Sequence, residues 1–117
     1  MNADDIADKL QFEWSADGGF LYGLRYGHFD PLAAERFLSV LNSVDPEDPA
    51  RFEPRVVGRL WLIPYYMLSH LHNSERQGLD ISEQQRVMFR ANDVLAVIFG
   101  GRGGTSASSG GAEQAVS

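Results

Sequence analysis

The twenty residues from Pro54 to Asn73 constrain the fold of this chain more than any other feature. Val56, Val57, Leu60, Trp61, Ile63, Met67, Leu68 and Leu71 cover more than half the circumference of a helix drawn through them. A helix that is apolar nearly all round has to be buried on several sides, so this one is expected to be central. Pro64 lies in its middle, within LWLIPYYML. It removes the amide that would bond the Leu60 carbonyl, and its ring presses on that turn, so a kink is expected there.

Other helices are marked around it. Asp30 can accept a bond from a free amide of a first turn, and Pro31 at the first helical position loses no bond and presets φ. Ala33, Phe37, Val40, Leu41 and Val44 then keep helical spacing, and VDPEDP ends the run, leaving residues 45–53 as a connector. After a turn at Asn73 to Gly78, Asp80 with Glu83 and Ser82 with Gln85 each have the spacing of a capping box. Val87, Ala91, Val94, Leu95 and Ile98 form the stripe of the last helix, which Gly100-Gly101 is expected to stop. At the other end Asn2 and Asp5 look like a helix start, with Ile6, Leu10 and Trp14 on one side. Beyond Phe99 the residues are small or polar apart from Val116. Residues 100–117 are therefore expected to be a flexible Gly/Ser-rich tail, with no apolar surface to offset the entropy of ordering.

GGFLYGLRYGHFDP, residues 18–31, admits two periods. Period two puts Phe20, Tyr22, Leu24 and Tyr26 on one face of a strand, pairing back across SADGG with Leu10, Phe12 and Trp14 in a β-hairpin over 10–26. Period 3.6 puts Tyr22, Tyr26 and Phe29 on one stripe of a helix. A lone hairpin is marginal in water, and no third strand is offered elsewhere. The helical reading also uses Gly23 and Gly27, four apart, as a smooth side for close approach by another helix. It is preferred, and the hairpin packed on three helices is kept as the alternative. The fold expected is mostly α: one domain over residues 1–99, a bundle of about four helices around the kinked one.

The bounds on function are mostly exclusions. With no cysteine, disulfides and thiolate zinc sites are ruled out. The N-terminus lacks a secretion pattern, and the longest apolar run free of proline, Val94 to Phe99, is six residues, against about 20 for a membrane span. A soluble cytoplasmic protein is expected, with no membrane partner. Residues 1–48 carry ten acids against Lys9, Arg25 and Arg36, and residues 49–99 carry five acids against six arginines, so the net charge of −6 belongs to the N-terminal half. That field repels nucleic acid and draws a protein with a basic surface.

No constellation for chemistry survives. His70 and His72 lie about 200° apart on a helix and cannot share a metal ion. His28 and Asp30 fit a hydrogen bond near a cap better than a tuned base. Asp45, Glu47 and Asp48 fail as a calcium loop, because Ala50 falls where glycine is required and Val56 where the bidentate glutamate belongs. Asp4 and Asp8 share a helix face but have no environment to separate their acidities. GGRGG follows a helix and does not open one, so it is no phosphate loop, and one copy makes no RNA-binding tail. Ser39, Ser43, Ser69 and Ser74 are not in nucleophile turns. No catalytic residue, cofactor or metal is assigned.

Surface recognition is what the residues leave. Tyr22, Arg25, Tyr26 and His28 are candidate contact residues, since Tyr and Arg dominate protein contacts when central and desolvated. Asp45, Glu47 and Asp48 are the second set, held between two prolines so that meeting a basic partner costs less ordering entropy. The function expected is non-enzymatic protein binding, as an acidic inhibitor of the immunity type that covers the active surface of a basic toxin or nuclease. Two alternatives stand beside it. One is a structural or regulatory module that self-associates through the aromatic stripe, making a homo-oligomer. The other is a small-molecule-binding or enzymatic bundle with a pocket at the Pro64 kink, lined by Trp61, Tyr65 and Tyr66.

Overall fold

A computed structural model of the chain describes residues 2–105, with side chains described over residues 2–100. The elements are α1 (Ala3–Ser15), α2 (Phe20–Arg25), α3 (Pro31–Asn42), a 3₁₀ turn (Pro49–Phe52), α4 (Pro54–Leu60), α5 (Ile63–Arg76) and α6 (Ser82–Thr105). No strand occurs among the described residues. The chain is a small helical bundle.

Local chemistry accounts for most of the boundaries. Asn2 Oδ1 accepts the Asp5 amide at 2.9 Å and opens α1. Asp30 Oδ1 accepts the amides of Leu32 and Ala33 at 3.0 and 3.4 Å, and Pro31 is the first residue of α3. Residues 20–25 are helix and not strand because Phe20, Leu21 and Leu24 all enter the core, which period two would forbid. Gly23 and Gly27 serve differently from expectation. Gly27, at φ +75°, closes α2 in a Schellman turn, with His28 N–H donating to Gly23 O at 2.9 Å and Gly27 N–H to Leu24 O at 3.0 Å. No neighbouring helix uses them, because the left-handed residue ends the helix before a second helical turn can present a smooth side.

Pro64 breaks the long apolar segment in two. α4 stops at Leu60, Trp61 and Leu62 form a turn, and Pro64 becomes the second residue of α5, where its missing amide has no bond to lose. The buried side is Val56, Leu60, Ile63, Met67 and Leu71. Trp61, Leu62, Tyr65 and Leu68 are exposed, so the segment is covered on one side only. The central position is held by α1, which packs on α2, α3 and α4. α3 and α5 each pack on α6, and one contiguous cluster runs from Ile6 and Leu10 through Phe20, Phe37 and Leu41 to Val87, Leu95 and Ile98.

α6 begins where Asp80 Oδ1 accepts both the amide and the hydroxyl of Ser82, at 3.0 and 2.8 Å, and these bonds hold the Asp80 carboxyl below the usual carboxylate range. The helix continues past Gly100-Gly101 to Thr105. Glycine lowers helix propensity by about 1 kcal/mol per residue and does not forbid the helix. Residues 106–117 of the expected tail lie outside the described residues.

Candidate functional site: a pocket between the second and third helices

The site is built on an ion pair that the sequence reading missed, between the buried carboxylate of Glu13 and the half-exposed guanidinium of Arg36. Glu13 is 1% exposed and sits on the apolar stripe of α1, seven and three residues on from Ile6 and Leu10. Its Oε1 accepts the Phe20 amide at 2.8 Å and Arg36 Nη2 at 2.9 Å, and its Oε2 accepts Arg36 Nε at 2.9 Å. Arg36 Nη2 also donates to Gly18 O at 2.8 Å, and its guanidinium lies 5.1 Å from the centre of the Phe12 ring. The bond to Glu13, above all, raises the Arg36 pKa further. Together these contacts fix the turn Ala16–Gly19 to α1 and α3 and set the start of α2. A carboxylate on an apolar stripe was the available signal, since a buried charge has to be paired.

On this frame rests a pocket of about 240 Å³, into which Asp17, Tyr22, Tyr26, His28 and Asp30 converge. The Tyr22 and Tyr26 rings are 5.1 Å apart and inclined at 55°. A hydrogen bond with Tyr26, chiefly, then repulsion from the Tyr26 phenolate once that neighbour ionises, burial, and the Asp17 carboxylate hold the Tyr22 phenol above its ordinary pKa, with Arg25 opposing. Asp30 uses Oδ1 to cap α3, and Asp17 makes no ion pair among the described residues. The pocket therefore combines two carboxylates with two tyrosine side chains. Phe29 does not join the stripe; it packs edge-on against Phe20 at 5.9 Å.

Of the residues singled out from sequence, Tyr22, Tyr26 and His28 are brought together. Arg25 is exposed and does not line the pocket; its charge acts toward α5. There Trp14 and Tyr66 meet edge-on at 4.8 Å, Tyr66 and His70 lie 4.4 Å apart, and the Tyr66 hydroxyl donates to Leu21 O at 2.7 Å. Burial first, and Arg25 second, lower the pKa of His70. Its folded-state value then lies below the unfolded one, so the stability it contributes is intact above about pH 6.5. It is lost as pH falls below that and the unfolded chain takes up the proton first. His70→Gln is expected to flatten the acid-side decline, read as a smaller gap between urea midpoints at about pH 7.5 and 5.5 than in the parent.

Asp45, Glu47 and Asp48 stand apart from this cluster, beyond the far end of α3, about 18 Å along its twelve residues. Asp45 Oδ1 accepts the Glu47 amide at 2.8 Å, and Asp48 Oδ1 accepts the Ala50 amide at 2.9 Å, opening the 3₁₀ turn. Arg51 ties that turn to α6 through Ile98 O at 2.8 Å. Nor does the charge asymmetry of the two halves survive folding intact. Asp4 pairs with Arg55, and Glu35 pairs with Arg90 and Arg86 at 3.1 and 3.6 Å.

A groove does lie at Pro64. Its volume is about 400 Å³, and Trp61, Pro64, Asn92, Leu95, Ala96 and Phe99 line it. Tyr65 and Tyr66, expected in its wall, are absent from it: Tyr65 is exposed and Tyr66 turns to Trp14. Among the described residues no three His, Asp or Glu side chains are placed to hold a metal ion, and no helix is long and apolar enough to cross a membrane.

Compared with known proteins, the chain matches no family model, no curated protein and no solved structure. The functional reading therefore rests on geometry.

Proposed function

We propose that this chain is a non-enzymatic protein-binding module for a partner with a basic surface, and that the pocket between α2 and α3 takes one cationic side chain of that partner. One observation carries the reading: Asp17 and Asp30 flank the paired Tyr22 and Tyr26 rings around one concavity. Carboxylates and ring faces both attract a guanidinium or ammonium group, and the attraction grows as the group leaves water. Arg36, whose own guanidinium stands near, is already engaged by Glu13 and Gly18 and leaves the pocket to an outside cation. In its sharper form the proposal is an acidic inhibitor of the immunity type that neutralises a basic toxin or nuclease by covering its active surface. Asp45, Glu47 and Asp48, one helix length away, would then meet a second basic patch.

The test is an NMR titration of the full chain with a short arginine peptide and with the same peptide carrying neutral citrulline. Shifts are expected at Tyr22, Tyr26 and His28 with arginine only, and Asp17→Asn should weaken binding about 5- to 10-fold, the loss of one partly desolvated charge contact. Equal shifts with citrulline, or binding indifferent to Asp17→Asn, would overturn the proposal.

A further inference from the structure

The seam between α1 and α3 runs on past the acidic pocket and changes sign. Lys9 faces Ser39, Val40 and Ser43, Glu13 meets Arg36, and Asp17 and Gly18 stand near Ala33, so the two helices run antiparallel. At the far end a second concavity, of about 280 Å³, is lined by Lys9, Arg36, Ser39, Val40 and Ser43. The last four share one face of α3, at spacings of three, four and seven from Arg36. Lys9 is the only lysine of the chain. It is exposed and makes no ion pair among the described residues. Ser39 is exposed too, and its hydroxyl makes no hydrogen bond among the described residues. Arg36 gives Nε and Nη2 to Glu13 and Gly18, which fixes the guanidinium and leaves the two N–H groups of Nη1 uncommitted.

We infer that this concavity takes a carboxylate, carried by the same partner segment whose cation fills the acidic pocket; the inference rests on that pocket's proposed role. Lys9 Nζ, Arg36 Nη1 and the Ser39 hydroxyl are all donors, and no acid lines the concavity. Glu13 already cancels one of the two cations. The single positive charge left over matches a carboxylate, and Asp5 and Asp8, exposed on α1 beside Lys9, repel the second charge of a phosphate. Phe12, 42% exposed, lies between the two concavities, against Gly18 on one side and the Arg36 guanidinium on the other. It gives the chain between the two charges an apolar rest. The spacing follows from the helix rise. On α3, Asp30 and Ala33 mark the acidic pocket and Ser39 and Val40 the middle of the basic one, about eight residues or 12 Å along. Lys9 to Asp17 is the same eight positions. An extended segment rises about 3.3 Å per residue and alternates its side chains, so residues four apart point the same way at about 13 Å. The segment that fits is extended, with an arginine and a glutamate four positions apart. A uniformly basic segment would set a like charge against Lys9, so the pair of signs fixes both register and partner.

An NMR titration of the full chain with the capped peptide Arg-Ala-Ala-Ala-Glu tests this, beside one peptide with Gln for its Glu and one with citrulline for its Arg. The parent peptide is expected to shift Tyr22, Tyr26 and His28 and also Lys9, Ser39 and Ser43. The Gln peptide should keep the first set, lose the second and bind about 3- to 5-fold more weakly, the scale of a partly exposed charge pair. Lys9→Gln in the protein should weaken the parent peptide as much, leave the Gln peptide unchanged and keep the helical circular dichroism. Moving the acid one position closer turns it to the opposite side and should cost as much as losing it. Shifts at Lys9, Ser39 and Ser43 that persist with the Gln peptide, or a Lys9→Gln protein that still prefers Glu to Gln, would overturn the inference. The acidic pocket's role then stands as long as the first set responds to arginine and not to citrulline. A first set that is absent, or that citrulline reproduces, removes that role and this inference with it.

Discussion

Glu13→Ala is expected to destabilise the fold by about 2–3 kcal/mol, less than breaking a fully buried ion pair, because the Arg36 side chain is 45% exposed and water can reach it once the carboxylate is gone. The carboxylate is 1% exposed and accepts three hydrogen bonds, two from the Arg36 guanidinium and one from the Phe20 amide that begins α2. Truncation leaves the Phe20 amide and part of a guanidinium without partners and opens a void between α1 and α3. Most of the loss comes from stranded polar groups and not from the net worth of the pair. The double variant Glu13→Leu, Arg36→Met should therefore be less damaged than the two single losses added together, because neither charge is left unpaired. Urea unfolding of both singles and the double measures this. Simple additivity would show that the pair does not act as a unit. Loss of the turn Ala16–Gly19 would also reach the pocket, so Glu13→Ala should abolish arginine-peptide shifts even under conditions where the chain remains folded.

Gly19→Ala is the second large effect, expected at about 3 kcal/mol or more, at the upper end for overpacking. A Cβ at position 19 would stand 2.3 Å from Phe12 O, 2.7 Å from Glu13 O and 3.0 Å from Ala16 O. All three are backbone atoms at the end of α1, so no side chain can rotate out of the way. The cause is contact alone, since Gly19 has an ordinary φ of −70°. Gly58 supplies the control. It is exposed in the interior of α4, and a Cβ there meets nothing within 4 Å. Gly58→Ala should therefore stabilise by about 0.5–1 kcal/mol through helix propensity and a less mobile unfolded chain. Thermal unfolding of the two alanine variants should move the midpoint in opposite directions. A Gly19→Ala protein as stable as the parent would show that α1 and α2 do not approach as described.

What was legible in the sequence was whatever neighbours along the chain decide. Asp30-Pro31 opens α3 as its side chain and ring require, Asn2 caps α1, and the stripe Val87, Ala91, Leu95, Ile98 is buried as its spacing demanded. Of the contact set legible in the sequence, Tyr22, Arg25, Tyr26 and His28, all but Arg25 line one concavity. The members of the site that were missed, Asp17 and the pair Glu13 and Arg36, depend on contacts across the chain, the latter over 23 positions.

The sequence by itself determined the helical class, most helix starts and the absence of cysteine chemistry, because hydrogen bonding at a cap, the ring of a proline and the period of apolar residues act within a few positions. Only the tertiary structure decided which side of the Pro54–Asn73 segment is covered, that the acids of one half meet arginines of the other, and where carboxylates and rings converge. Burial and electrostatic pairing are properties of what lies nearby in space, and no pattern along the chain records them.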